Sequence, residues 1–315
     1  ISALPRPLRS TVENHRELFD IGLHGPDILF YYHPMKRNTV NGQGYDLHDK
    51  PADLFFRHAA ETVKKAEDPA AARAYIYGVI CHFALDSECH PYVEKMIHES
   101  GISHSEIEME FDRLLLKEDY INPVRYLATK HIRPTKENGA VIAPFFEDLT
   151  AETVQKALKG MIMYHKLLLA PGAVKRKILF GGMRLSGQYD SLHGMVMSLE
   201  PNPACKEYCR LLKRLFAGAV PLAAGLIILL FSWQFAYQID LSRAYLAGGQ
   251  VWRLVTFLFQ PIWLGSALGV LNLVFYFWVG NALTRVWGDF RMTLYIALGM
   301  LGAWISCFLT GYASC

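Results

Sequence analysis

Charge is nearly absent from the last third of this sequence. From Leu215 to Cys315 the only charged residues are Asp240, Arg243, Arg253, Arg285, Asp289 and Arg291, and no histidine follows His193. A solvated globular surface is hard to build from that composition. Strands are missing too, because no stretch alternates apolar and polar residues as a half-buried strand does. The six cysteines (Cys81, Cys89, Cys205, Cys209, Cys307 and Cys315) have neither disulfide-framework nor zinc-knuckle spacing, which argues against an oxidised scaffold and fits a reducing compartment. No basic run is interleaved with aromatics, so nothing in the charge pattern indicates a nucleic-acid partner. Internal repeats, low-complexity segments and a signal peptide are all lacking. The chain begins with Ile1 rather than Met, which gives the last absence little weight.

What is present divides in two. The mean hydropathy of +0.14 averages unlike parts. Residues 1–214 are charged, histidine-rich and punctuated like a soluble all-α domain, and 215–315 read as membrane. The soluble part is organised around His82-Phe83-Ala84-Leu85-Asp86-Ser87-Glu88-Cys89-His90. Asp68-Pro69 supplies a helix cap and a first-turn proline ahead of it. On a helix, His82, Asp86 and His90 fall within an arc of roughly 80°, spread over ~12 Å of axis. Pro91 disfavours helical geometry at His90 and predicts that the last imidazole swings off that line. Downstream, Ser103 with Glu106 reads as a capping box, which sets His104 and Glu108 at i and i+4 on one face. That spacing lets an imidazole and a carboxylate grip one ion. Glu110 and Asp112 read as solvated acids. On spacing alone, satisfied polar residues of a buried helix explain the first set as well as a metal does. Capping or ion pairing likewise explains the acids of the second.

In chain order, Ser10 with Glu13 predicts a short helix ending near Phe19. Gly25-Pro26-Asp27 is a turn entering an apolar run, where Asp27 either caps a helix or projects a carboxylate into a pocket. Residues 42–50 read as a loop carrying His48, and 51–66 as an amphipathic helix. Asn122-Pro123, Thr150 with Glu152, and Asn202-Pro203 each predict a helix start. His15, His24, His33, His58, His98, His131, His165 and His193 have no partner at ligand spacing and read as structural or surface residues.

Gly25-Pro26-Asp27, then His48, then the His82/Asp86/His90 ladder, then His104/Glu108 resemble the zinc-dependent phospholipase C family, whose all-helical fold is shared with the S1/P1 nucleases. The resemblance covers most of the soluble part. It implies that Asp27, His48, His82 and Asp86 surround one zinc, with Asp86 bridging toward a neighbour, and that His90, His104 and Glu108 hold another. It also makes Asp27 a candidate general base. A third family site uses the N-terminal amine and an early histidine. This chain has none before His15, so the third site is expected to be incomplete.

Mixed imidazole and carboxylate ligands suit zinc, whereas magnesium favours oxygen alone. Zinc lowers the pKa of bound water from about 16 to about 7, and ions roughly 3.5–4 Å apart clamp an in-line phosphoryl displacement. The expected activity is hydrolysis of a phosphodiester, most simply a phospholipid. The alternatives are an S1/P1-like nuclease and a metal-binding scaffold or membrane-interaction protein with little or no catalysis.

Three membrane spans are expected, near 215–239, 264–284 and 292–315, since a bilayer needs about 20 apolar residues. Lys206, Arg210, Lys213 and Arg214 before the first, with Arg285 and Arg291 between the second and third, outnumber Arg243 and Arg253 in the other loop. That balance places the soluble domain in the cytoplasm of a multi-pass cell-membrane protein. The stretches 249–257 (GQVWRLVTF) and 280–288 (GNALTRVWG) resemble the first loop and second span of rhomboid-like membrane proteins. The chain lacks the serine motif and histidine of rhomboid proteases on later spans, so no such protease activity is expected.

Overall fold

The computed structural model describes residues 1–231, 241–257 and 267–310, and those residues contain helices and no strand. They form two compact units, Ile1–Leu226 and Ile227–Cys315.

The first unit is built around α5 (Pro69–Ser100), a 32-residue helix. The Asp68 carboxylate accepts from the amides of Ala70 and Ala71, and Gly101 in the left-handed region (φ 71) ends the helix. From Ala71 to Ile80 nearly every side chain is buried, Tyr75, Ile76, Tyr77 and Ile80 completely, so the first half of α5 is a core element rather than an amphipathic one. Around it lie α1 (Arg6–Asn14), α2 (Arg16–Gly22) and α4 (Ala52–Lys65). α7 (Lys136–Ile142) also touches α5 and packs on α8 (Ala151–Leu168). Gly22 and Gly78 set the α2–α5 crossing. A Cβ on Gly22 would strike the Tyr75 carbonyl, and one on Gly78 the Phe19 carbonyl. The helix penalty of Gly78 is therefore the condition for close packing.

Several local expectations change. Ser10 lies inside α1, which starts at Arg6 and ends at His15, so the expected helix to Phe19 is two helices, α1 and α2. His48 sits in α3 (Thr39–Asp49), not in a loop. Asn38 and Asn41 form a reciprocal capping box there, and Gly44 is needed because its Cα lies against the Phe30 ring. Pro91 does not end α5. The turn it weakens is held by Cys89, Val93 and Met96, buried against Ile107 of α6 (His104–Glu118) and against Cys205, Cys209 and Leu212. Burial of such side chains, about 1.5–3 kcal/mol each, offsets a lost helix bond. The Ser103–Glu106 box is only half formed. Ser103 Oγ accepts from the Glu106 amide, while the Glu106 carboxylate accepts from Asn202 Nδ2 at 2.8 Å.

After α8 come α9 (Ala173–Leu185), α10 (Tyr189–Leu192) and α11 (Lys206–Phe231). Two helical stretches among the described residues have the length and apolarity to cross a membrane, Pro203–Ile228 and Val286–Thr310, where three were expected. Of the expected spans, residues 232–239, 264–266 and 311–315 lie outside the described residues. In the second unit, α12 (Arg243–Ala247) and α13 (Arg253–Thr256) precede α14 (Ala267–Thr310), which is interrupted by non-helical Gly288 (φ 75). Leu241, Phe257 and Cys307 form its small core, and Trp304 Nε1 donates to the Leu254 carbonyl at 2.8 Å. Along Val286–Thr310 most apolar side chains, among them Phe290, Leu298 and Leu309, face outward. A buried core helix of a soluble protein does not have that pattern.

Candidate metal centre

The second half of α5 carries His82, Asp86 and His90 one turn apart, and packing through Pro91 keeps all three on one face. Asp27 is delivered by a 3₁₀ helix, Gly25–Tyr31, whose first residue adopts φ 52 directly against the His82 ring. His48 comes from α3, and His104 and Glu108 from the first turns of α6. Four elements thus bring all seven sequence candidates together.

They fall into two groups. Asp27, His48 and His82 offer ligand atoms within 4.8 Å of one another, as do His90, His104 and Glu108. Asp86 stands between them. Its Oδ2 lies 3.2 Å from His82 Nε2 and 3.9 Å from His48 Nε2, and its Oδ1 lies 3.9 Å from His90 Nε2. In the second group Glu108 Oε1 is 2.9 Å from His104 Nε2 and 3.7 Å from His90 Nε2.

The ring of His48 is oriented by the backbone, because Nδ1 donates to the Gly44 carbonyl at 2.8 Å and leaves Nε2 as the nitrogen that faces the acids. Asp27 Oδ1 and His82 Nε2 are shielded from solvent yet make no hydrogen bond. Close approach without hydrogen-bond alignment, as between Asp27 Oδ1 and His48 Nε2 at 3.1 Å, is the arrangement of donors aimed at a common point. Buried, unsatisfied nitrogen and oxygen atoms converging from rigid helices fit a zinc ion.

Without metal these groups hold one another's charge. Asp27, followed by the Gly44 carbonyl and Asp86, pushes the His48 pKa up to about 9 against burial. Burial opposes the charge on His82, but Asp86 and Asp27 outweigh it and raise its pKa. Burial likewise opposes ionisation of Asp86 and Glu108. The neighbouring imidazoles win in both, taking Glu108 down to about 2. Glu108 is the main cause of the raised pKa values of His90 and His104.

A cavity of about 420 Å³ opens on the α5 side of the first group, walled by Leu47, Ala52, Phe55, Phe56, Val79 and Phe83, with His48, His82, Asp86 and His90 at its polar end. A second, of about 260 Å³, reaches Glu108 from the other side and is lined by Tyr31, Tyr126, Asp112 and His165 among others.

One expectation near the centre changes. Glu110 is not solvated. It is buried and paired at 3.1 Å with the equally buried Arg113, which also donates to the Ser198 carbonyl. His24 and His131 are partners, with Nε2 atoms 3.3 Å apart and stacked rings. Their separation of 107 residues leaves no sequence signal.

An all-helical domain with converging histidines and carboxylates is the scaffold of a helical zinc protein. The description "Zinc dependent phospholipase C" belongs to the family model that matches residues 1–160, which hold all seven candidates, and the chain belongs to that family. No curated protein and no solved structure matches the chain. The rhomboid-like resemblance of the last hundred residues is unsupported, since the family match ends before them and the structure adds only apolar helices there.

Proposed function

We propose that this chain is a membrane-tethered, zinc-dependent phosphodiesterase of the phospholipase C type. Residues 1–214 would carry the chemistry and 215–315 the attachment, in a multi-pass arrangement with the catalytic part in the cytoplasm. The observation that carries this reading is the pair of three-ligand groups with one oxygen of Asp86 turned toward each, at the polar end of an aromatic cavity.

Asp27, His48, His82 and Asp86 would hold one zinc, and His90, His104 and Glu108 another, with Asp86 fixing the spacing. Bound there, zinc would supply an acidified water and positive charge for the phosphate oxygens. The chain's own residues do the rest. Gly44 orients the His48 ring, so Nε2 faces the acids without rearrangement. Asp27 keeps one oxygen buried, while its side chain remains 38% exposed, which leaves the other oxygen free to accept a proton from the attacking water. Phe55, Phe56 and Phe83 exclude water beside the reacting phosphate and suit an apolar substituent on it, which favours a phospholipid over a nucleic acid.

The test is turnover of a phospholipid dispersion and of single-stranded DNA by the zinc-loaded protein and its Asp86→Asn variant. Phospholipid hydrolysis lost at least about a hundredfold in Asp86→Asn, ~2.7 kcal/mol of barrier, supports the reading. Hydrolysis of DNA alone would make it a nuclease. Zinc binding with neither activity would leave a metal-binding scaffold.

A further inference from the structure

Helix α9 is apolar on two opposite faces. Leu179, Phe180 and Met183 pack inward against Leu168, Ala170 and Val196. On the far side Val174, Ile178 and Leu185 are 73%, 71% and 93% exposed. At 3.6 residues per turn these three fall within an arc of about 40°, diametrically opposite Met183. The preceding helix, α8, shows the same habit, with Met163 and Leu167 exposed one turn apart. Unpartnered aliphatic stripes of this kind mark a surface that meets something apolar.

The charges say what that is. Between Glu152 and Asp190 the chain has no acidic residue and seven basic ones. Lys175 and Arg176 are engaged locally, bonding carbonyls of the α8–α9 junction. Lys156, Lys159, Lys166 and Lys177 are exposed and have no acidic partner among the described residues. Lys156, Lys159 and Lys166 share the outer side of α8 with Met163 and Leu167, and Lys177 with Arg184 borders the α9 stripe. Protein interfaces are depleted in lysine at their cores. An aliphatic stripe bordered by lysines that can extend past it is instead the pattern of a helix lying in an anionic lipid interface. We infer that the outer faces of α8 and α9 dock the catalytic unit onto a bilayer surface rich in anionic lipid. This inference rests on these two helices alone, so it stands or falls apart from the metal centre and from the apolar helices.

The test uses the full chain reconstituted in vesicles of phosphatidylcholine alone or with phosphatidylserine. Cys81 and Cys315 are replaced by serine, and a fluorophore is placed through Ile178→Cys, Leu185→Cys or, as a control, the fully exposed Tyr120→Cys. Quenching by nitroxide-labelled lipid in the phosphatidylserine vesicles should be at least about threefold stronger at 178 and 185 than at 120. It should fall toward the control value in high salt and in the Lys156→Gln/Lys159→Gln/Lys166→Gln/Lys177→Gln variant. Equal quenching at all three positions would overturn the inference.

Discussion

Oδ2 of Asp86 lies 3.2 Å from Nε2 of His82, one turn earlier on the same helix, and both point into the space between α5 and the Asp27 segment. Helix geometry alone holds this pair. His90, one turn further on, joins them on the same face because α5 stays helical through Pro91, held by the apolar contacts of Cys89, Val93 and Met96.

The pH behaviour of the metal-free protein should show this coupling. The pKa of His48 is raised to about 9 by Asp27, so its contribution to stability is fully present below about 6.5 and is lost as pH rises through about 9. Zinc requires the neutral ring, so zinc binding should release protons and strengthen over the same interval. Urea unfolding between pH 6 and 10 should show stability falling with pH in the apo protein and staying level above about pH 7.5 in the zinc-loaded protein, where folded and unfolded rings are both neutral. A His48→Gln variant should flatten the apo slope; an unchanged slope would remove His48 from the account.

Glu110 and Arg113 offer a stability test away from the ligands. Arg113→Met would leave Glu110 buried and unpaired, and should cost about 3–5 kcal/mol. Glu110→Leu/Arg113→Met should recover most of that loss in a denaturant titration. A single variant as stable as the parent would mean that the pair is not buried in solution.

At Gly78 the sign of an ordinary rule should reverse. Glycine to alanine inside a helix usually stabilises by about 0.5–1 kcal/mol. Here the new methyl would meet the Phe19 carbonyl and the Gly22 backbone, so Gly78→Ala should destabilise by about 1–3 kcal/mol. Thermal unfolding measures the sign directly.

The proposed orientation in the membrane rests on the distribution of lysine and arginine. A cysteine at position 245 should react with an impermeant reagent on intact cells, and one at 288 only after permeabilisation. The reverse pattern would put the catalytic part outside.

The α5 ladder and the His104/Glu108 pair were legible because i,i+4 spacing turns directly into proximity on a helix. Asp27 and His48 were not legible from spacing. They reach the ladder through tertiary packing, and only the family resemblance pointed to them. His48 lies on a helix rather than in the expected loop because the Asn38–Asn41 box starts that helix and Gly44 lets it pass against the Phe30 ring. Glu110 reads as a solvated acid because its partner, Arg113, is also charged. A sequence shows that two charges are three apart, but not that both are covered.

Whether the seven named side chains hold two zinc ions is read most directly from the zinc content per chain. Elemental analysis of the purified, dialysed protein should find about two zincs per chain, as the three-protein-ligand minimum of a catalytic zinc site allows for each group. The His82→Ala/His104→Ala variant, which removes one imidazole from each group, should retain well under one. Full zinc content in a folded double variant would contradict the account, because the metal would then be bound elsewhere.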